Sequence, residues 1–98
     1  MNKMARLDPL IHAPNRLQIC ALLNPLVKME FQALRDIVGV SDSVLSKHIK
    51  QLDDAGYVRL IKKAEGGRQR TWVALTSSGR KAFKAHVKEL KKIVDLGN

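Results

Sequence analysis

The chain has 98 residues, 45% of them hydrophobic, and carries 18 Lys+Arg against 9 Asp+Glu for a formal net charge of +9. One domain with a core of its own is expected from that size, with no room for a second, effector domain. No run approaches the ~20 apolar residues of a membrane-spanning helix, MNKMARLDPL lacks the apolar centre of a secretory signal, and the single cysteine excludes an internal disulfide, so a reducing, cytoplasmic location is expected.

The excess charge is uneven. Between Arg59 and Lys92 there are 11 basic and 2 acidic residues, whereas the remainder holds 7 of each. One half of the protein is therefore strongly basic, and a polyanion is its natural partner.

Residues 1–8 carry no strong pattern. Pro14 and Pro25 bracket a helix over Asn15–Asn24 (NRLQICALLN), within which Cys20 reads as a buried structural thiol. Leu26–Met29 can form a short strand. Phe31, Leu34, Ile37 and Val38 recur at helical spacing, predicting a helix over Glu30–Val38 that stops at Gly39. Ser41 then caps the next helix, with Asp42 in the first turn where the helix dipole favours an anion. The result is helix, tight turn, helix.

The second of these helices is the most informative segment. On a wheel of about 100° per residue, Leu45, Ile49 and Leu52 fall together with His48 at their edge. Ser43, Ser46, Lys47 and Lys50 gather on the opposite side, where no bulky hydrophobe blocks approach. Short hydroxyls suit base edges and ammonium groups suit phosphates, which is what a DNA major groove asks of a helix. An ordinary solvated face has the same composition; the neighbouring tight turn and the basic segment that follows favour the DNA reading.

Tyr57–Lys63 and Arg70–Leu75 read as a strand pair around the turn AEGG, with Lys62, Lys63, Arg68 and Arg70 flanking the glycines. Arg68 and Arg70 beside Gly66 and Gly67 suit a clamp on the DNA backbone or minor groove. Thr76 caps a last helix that runs to about Asp95. Its Phe83, Val87, Leu90 and Val94 form one apolar seam, widened by Ile93, to pack partly on the core and partly on a second copy of the chain. Lys81, Lys84, Lys88 and Lys91 form a separate stripe, most simply a solvated face.

The remaining chemistry-bearing residues suggest structure. His48 reads as a packed histidine, and His12 and His86 lack the carboxylate or thiol spacing of a metal site. Tyr57, Phe31, Trp72 and Phe83 fall in apolar patterns and are expected in the core. Asp53 and Asp54 are adjacent, so their side chains diverge by about 100° on a helix and make no ready acid–base couple. No metal, cofactor or catalytic site is expected, and no enzyme.

Two motifs carry a family resemblance. Ser43 to Val58, S-x-x-S-K-H-I-K-x-L-x-x-A-G-Y-V, resembles the recognition-helix signature of ArsR-type regulators, and Thr71 to Phe83, T-W-V-A-L-T-S-S-G-R-K-A-F, resembles the strand-to-helix junction of MarR-like proteins. Both together are similar to a stand-alone winged helix-turn-helix domain of MarR/ArsR type, and the resemblance extends over roughly Asn15 to Val94. The fold implied is mainly α with a small β-hairpin wing, in a single domain over 1–98: helix-turn-helix at about 30–56, wing at about 57–75, C-terminal helix at about 76–95. The function implied is a homodimeric transcriptional regulator of double-stranded DNA, most simply a repressor, with Ser43, Ser46, Lys47 and Lys50 in the major groove and Arg68 and Arg70 in the wing. The paired cysteines of metal-sensing ArsR proteins are absent, the terminal helices that build the MarR dimer are short, and no effector is specified. A protein-docking winged helix and a non-specific architectural DNA binder are the alternatives.

Overall fold

In the computed structural model, which describes residues 6–97, the elements follow the order α1 (Pro9–His12), α2 (Pro14–Leu23), β1 (Met29–Glu30), α3 (Phe31–Val38), α4 (Asp42–Asp54), β2 (Val58–Glu65), β3 (Arg68–Leu75) and α5 (Ser77–Asp95). The chain is a winged helix: mainly α, with a three-stranded antiparallel sheet. The reading of residues 1–8 as patternless falls partly on residues 1–5, which lie outside the described ones.

Local chemistry sets the boundaries. Gly39 ends α3 in the left-handed region at φ 78°, where its N–H reaches the Arg35 carbonyl. A side chain would be strained there, and glycine is the usual solution at this position after a helix. Ser41 is the N-cap of α4, its Oγ accepting from the Val44 N–H at 3.2 Å. Removing that acceptor in Ser41→Ala is expected to cost about 1 kcal/mol in urea unfolding, with an unchanged m-value. Thr76 does the same for α5, accepting from the Gly79 N–H at 2.9 Å.

The sheet has the order β1-β3-β2. β2 and β3 pair in register from Val58↔Leu75 out to Glu65↔Arg68, so the hairpin closes on the two-residue Gly66–Gly67 turn. β1 adds only Met29↔Val73 and Glu30↔Trp72 on the far edge of β3. Sequence spacing placed this strand at Leu26–Met29. Leu26 instead belongs to the turn after α2, its N–H bonded to the Leu23 carbonyl, so pairing begins at Met29.

Side chains alternate across a strand, and Val58, Val73 and Leu75 point from the sheet into the core. There they meet Leu34 of α3, Leu45, Ile49 and Leu52 of α4, and Phe83 of α5. α2 contributes Ile19, Cys20 and Leu23. Burial pushes the Cys20 thiol up to about 11, assisted by Asp8 and opposed by Arg16, which makes it an inert packing group. Among the described residues, no helix is long and apolar enough to cross a membrane.

The short α1 was not evident from sequence. Asp8 caps it, its Oδ1 accepting from the Leu10 and Ile11 N–H groups, and Ile11 is fully buried. The segment is held by α5: the Asp8 N–H donates to His86 Nδ1 at 3.0 Å, and His86 Nε2 lies 3.4 Å from His12 Nδ1. Tyr57 O–H closes the group by donating to Asp8 Oδ2 at 2.7 Å.

His86 is 1% exposed and occupies the core-facing side of α5 with Gly79 and Phe83. Its Nδ1 must stay unprotonated to accept the Asp8 N–H, and burial followed by His12 lowers its pKa, with Asp8 opposing. An unfolded histidine takes up its proton near pH 6.5, before the folded one does. This stability is therefore fully present above about pH 6.5 and is lost as pH falls below it. Unfolding free energy measured by urea titration is expected to drop between pH 7.5 and pH 5. The slope should flatten in His86→Asn, whose Oδ1 can accept the same N–H without titrating.

Candidate nucleic-acid interface

The helix-turn-helix is α3 and α4 joined through Gly39–Ser41, and an arginine fixes their relation. Arg35 of α3 donates from Nη1 to Asp42 Oδ1 at 2.7 Å and from Nε to Asp36 Oδ1 at 3.0 Å. These hydrogen bonds, Asp42 first, raise the Arg35 pKa above its ordinary value. Sequence reading gave Asp42 to the helix dipole alone. The i to i+7 pairing across a turn has no periodic signature and was missed.

The back of α4 is pinned to α2. Arg16 Nη1 donates to Gln51 Oε1 at 2.8 Å and lies 3.2 Å from His48 Nδ1, with the Asn15 side-chain amide 3.4 Å from Nε2. A guanidinium only donates, so Nδ1 is the acceptor and Nε2 carries the ring proton, which leaves the 3.4 Å approach of Asn15 Nδ2, itself a donor, as a packing contact rather than a hydrogen bond. Burial, then Arg16 and Lys47, lower the His48 pKa, with a hydrogen bond to Gln51 opposing. His48 is thus a half-buried packing residue of α4, consistent with its place at the edge of the apolar wheel face.

With Leu45, Ile49 and Leu52 inside, the opposite face of α4 is outside. Ser43, Ser46, Lys47 and Lys50 are all exposed. Ser43 Oγ lies 3.2 Å from the capping Ser41 Oγ. Lys50 makes a 3.4 Å contact with Asp54, both side chains largely exposed. Such a pair contributes well under ~1 kcal/mol and can be exchanged for a phosphate at little cost. Lys47 has no ion pair among the described residues.

The two wing arginines differ. Arg68 is exposed at the hairpin end, free of ion pairs among the described residues. Arg70 donates from Nη1 to Glu30 Oε2 at 3.1 Å, and both side chains are part-buried. Sequence reading put both at the basic tip. The pairing of β1 with β3 instead brings Glu30 beside Arg70, so Arg70 ties the wing to the entrance of α3. Trp72 lies half-buried on the same strand, with Lys28 Nζ 4.6 Å from its ring centroid.

Along α5, Phe83 is buried and Leu90 half-buried, whereas Val87 is 39% and Val94 66% exposed. His86 takes the inward position that the four-residue seam would have assigned near Val87. Ile93 and Leu96 add to the exposed apolar surface. Among the described residues, no three His, Cys, Asp or Glu side chains are grouped to hold a metal ion.

A helix-turn-helix followed by a basic hairpin and a long terminal helix defines a winged-helix domain with a polar, cationic outer face on its second motif helix. The winged helix DNA-binding domain family matches residues 15–94, and the chain belongs to it. An uncharacterized protein of Methanocaldococcus jannaschii is 35% identical over 78 residues, spanning 80% of this chain and 85% of that protein. A transcriptional regulator homologue from Pyrococcus horikoshii OT3 superposes with a TM-score of 0.82 at 29% identity, over 88% of this chain and 85% of that one. S. aureus MepR, solved as a complex with DNA, shares the fold with a TM-score of 0.74 at 13% identity, over 90% of this chain and 72% of its own. Other solved structures that share the fold include the transcriptional regulators PA4135 and BldR of Sulfolobus solfataricus.

Proposed function

We propose that the chain is a cytoplasmic regulator, a binding protein rather than an enzyme, that recognises a specific double-stranded DNA sequence as a homodimer and represses transcription. The observation that carries this reading is the outer face of α4. Ser43, Ser46, Lys47 and Lys50 are exposed together on a helix whose opposite side is locked into the core. The face is therefore rigidly presented, with short polar groups for base edges and ammonium groups for phosphates. Arg68 would meet the flanking backbone, and Arg70, through Glu30, would hold the wing at its working angle.

The dimer rests on α5. A second copy would cover Val87, Ile93, Val94 and Leu96, apolar side chains that the described residues leave exposed. Val87→Glu with Val94→Glu is expected to give a folded monomer by sedimentation equilibrium where the parent chain is a dimer. A dimer of unchanged affinity would remove α5 from the interface.

The testing experiment is selection of bound duplexes from a random library at near-physiological salt. Enrichment of a pseudo-palindrome with half-sites about 10 bp apart is the expected result. A reporter placed behind the selected sequence then reads the direction of regulation. Binding without enrichment would instead support an architectural role, and no binding a protein-docking one.

A further inference from the structure

One side of α5 is left unused by the function proposed above. Lys81, Lys84, Lys88 and Lys91 follow one another at spacings of 3, 4 and 3, and all four are exposed. Those spacings gather them into one row about 15 Å long at 1.5 Å per residue. None of the four makes an ion pair among the described residues. Glu89, beside Lys88 in sequence, is part-buried and contacts Lys92 instead. Asp95, the last residue of α5, is the one carboxylate that the helix wheel puts on this side.

At its start the row opens into a hollow of about 340 Å³ lined by Ser77, Arg80, Lys81 and Lys84. Three cations and a hydroxyl share this hollow, and no carboxylate among the described residues lines it. Arg80 is fixed in place. Its Nε and Nη2 donate to the Asn24 carbonyl at 3.3 and 3.2 Å, and Nη2 also donates to the Leu26 carbonyl at 3.3 Å. These acceptors are neutral, so they orient the guanidinium without cancelling its charge.

The row and the reading face are turned to different sides of the domain. α4 packs on α2 and β2, whereas α5 packs on α1, α2 and β3. Leu45, Ile49 and Leu52 of α4 and Phe83 of α5 all point into the same core, so the outer faces of the two helices diverge. The row also lies about 110° round the helix from the apolar seam, and a second copy seated on that seam need not cover it.

Composition selects among polyanions. A protein partner is ordinarily held by apolar and aromatic anchors, and lysine is depleted from such interfaces. A single strand is held by stacking on aromatic side chains, and Phe83, the only Phe, Tyr or Trp of α5, is buried. A membrane surface takes up a helix whose apolar side is free to enter it, whereas that side of α5 is docked on the core through Phe83 and His86. Duplex DNA asks only for cations, and about 15 Å of its axis carries about nine phosphate charges.

We infer that the lysine row of α5, together with Arg80, binds the phosphate backbone of a second DNA duplex without regard to sequence, so that the protein bridges two DNA segments. The bridging rests on the DNA-binding reading of α4 above; the α5 surface does not.

The test uses the full chain. Beads carrying the selected duplex are loaded with protein, and capture of a fluorescent random-sequence duplex is measured. The parent chain should capture it. Lys84→Ala with Lys88→Ala should lower capture about tenfold, reduce its salt slope by about two and leave binding to the bead duplex unchanged. Both lysines are exposed and alanine is a good helix former, so the variant keeps its fold. Equal capture by the variant would overturn the inference.

Amide NMR shifts give a readout independent of α4. In Lys47→Ala with Lys50→Ala, a random-sequence duplex should still shift α5 from Lys81 to Lys91, and poly-glutamate or anionic phospholipid vesicles at equal charge should not. No shift on α5 would overturn the surface, and equal shifts from poly-glutamate or vesicles would overturn duplex DNA as its partner. If every duplex offered to the parent chain shifts α5 and none shifts α4, the reading of α4 falls while the α5 surface stands.

Discussion

Gly79→Ala is expected to destabilise the domain by about 3 kcal/mol, which for a domain of this size lowers Tm by roughly 15 °C. Helix propensity alone gives the opposite sign, because alanine in a helix is favoured over glycine by about 1 kcal/mol. The difference lies in what α5 rests on. A Cβ at Gly79 would stand 2.0 Å from the Tyr57 carbonyl oxygen and 2.7 Å from its carbonyl carbon, and backbone cannot swing aside as a side chain can. The same contact is fastened by three hydrogen bonds. Thr76 Oγ1 donates to the Gly56 carbonyl, the Thr76 N–H donates to the Tyr57 carbonyl at 3.0 Å, and the Gly79 N–H donates to Thr76 Oγ1. Relief of the clash would pull α5 off the turn that ends α4 and loosen both. Thermal unfolding of Gly79→Ala decides the matter, and a Tm equal to or above that of the parent chain would show that α5 does not dock here.

That docking illustrates which parts of the fold were legible in the sequence. Signals confined to a few residues translated directly. Ser41 and Thr76 cap the helices they precede, Gly39 stops α3, and the glycine pair closes the hairpin, because each acts on its own backbone or on an N–H two or three residues away. The polar face of α4 was equally readable, since the burial of Leu45, Ile49 and Leu52 fixes what must face outward. The features that escaped depend on partners distant in the chain. His86 is buried because an N–H of Asp8, 78 residues earlier, needs an acceptor. The wheel of α5 alone favoured Val87 for that side. Arg70 is drawn to Glu30 by a two-residue strand whose pairing with β3 has no local signature. Arg16 reaches Gln51 and His48 in the same way. The cleft beside α4 is a gap between α3, α4, β2 and β3 and has no sequence pattern of its own.

The double variant Lys47→Ala with Lys50→Ala is expected to weaken binding to the selected duplex by about 2–4 kcal/mol, a loss of roughly 30- to 1,000-fold at physiological salt. The two side chains project from the exposed face of a helix held by Arg35, Arg16 and three buried aliphatics, so their loss removes charge from a fixed position. Folding should hardly respond. Alanine is a good helix former, Lys47 has no ion pair among the described residues, and the contact of Lys50 with Asp54 is exposed. Salt dependence separates the two roles. A lysine on phosphate lowers the slope of log K against log salt by about one and weakens all duplexes alike, whereas a lysine on guanine relaxes the preference at one base pair. The control is Lys84→Ala with Lys88→Ala, the same charge change on the exposed side of α5. If long-range steering toward a polyanion were the whole effect, both pairs would lose the same affinity. A large loss confined to Lys47 and Lys50 places the DNA against α4, and unchanged affinity in that pair removes α4 as the reading helix.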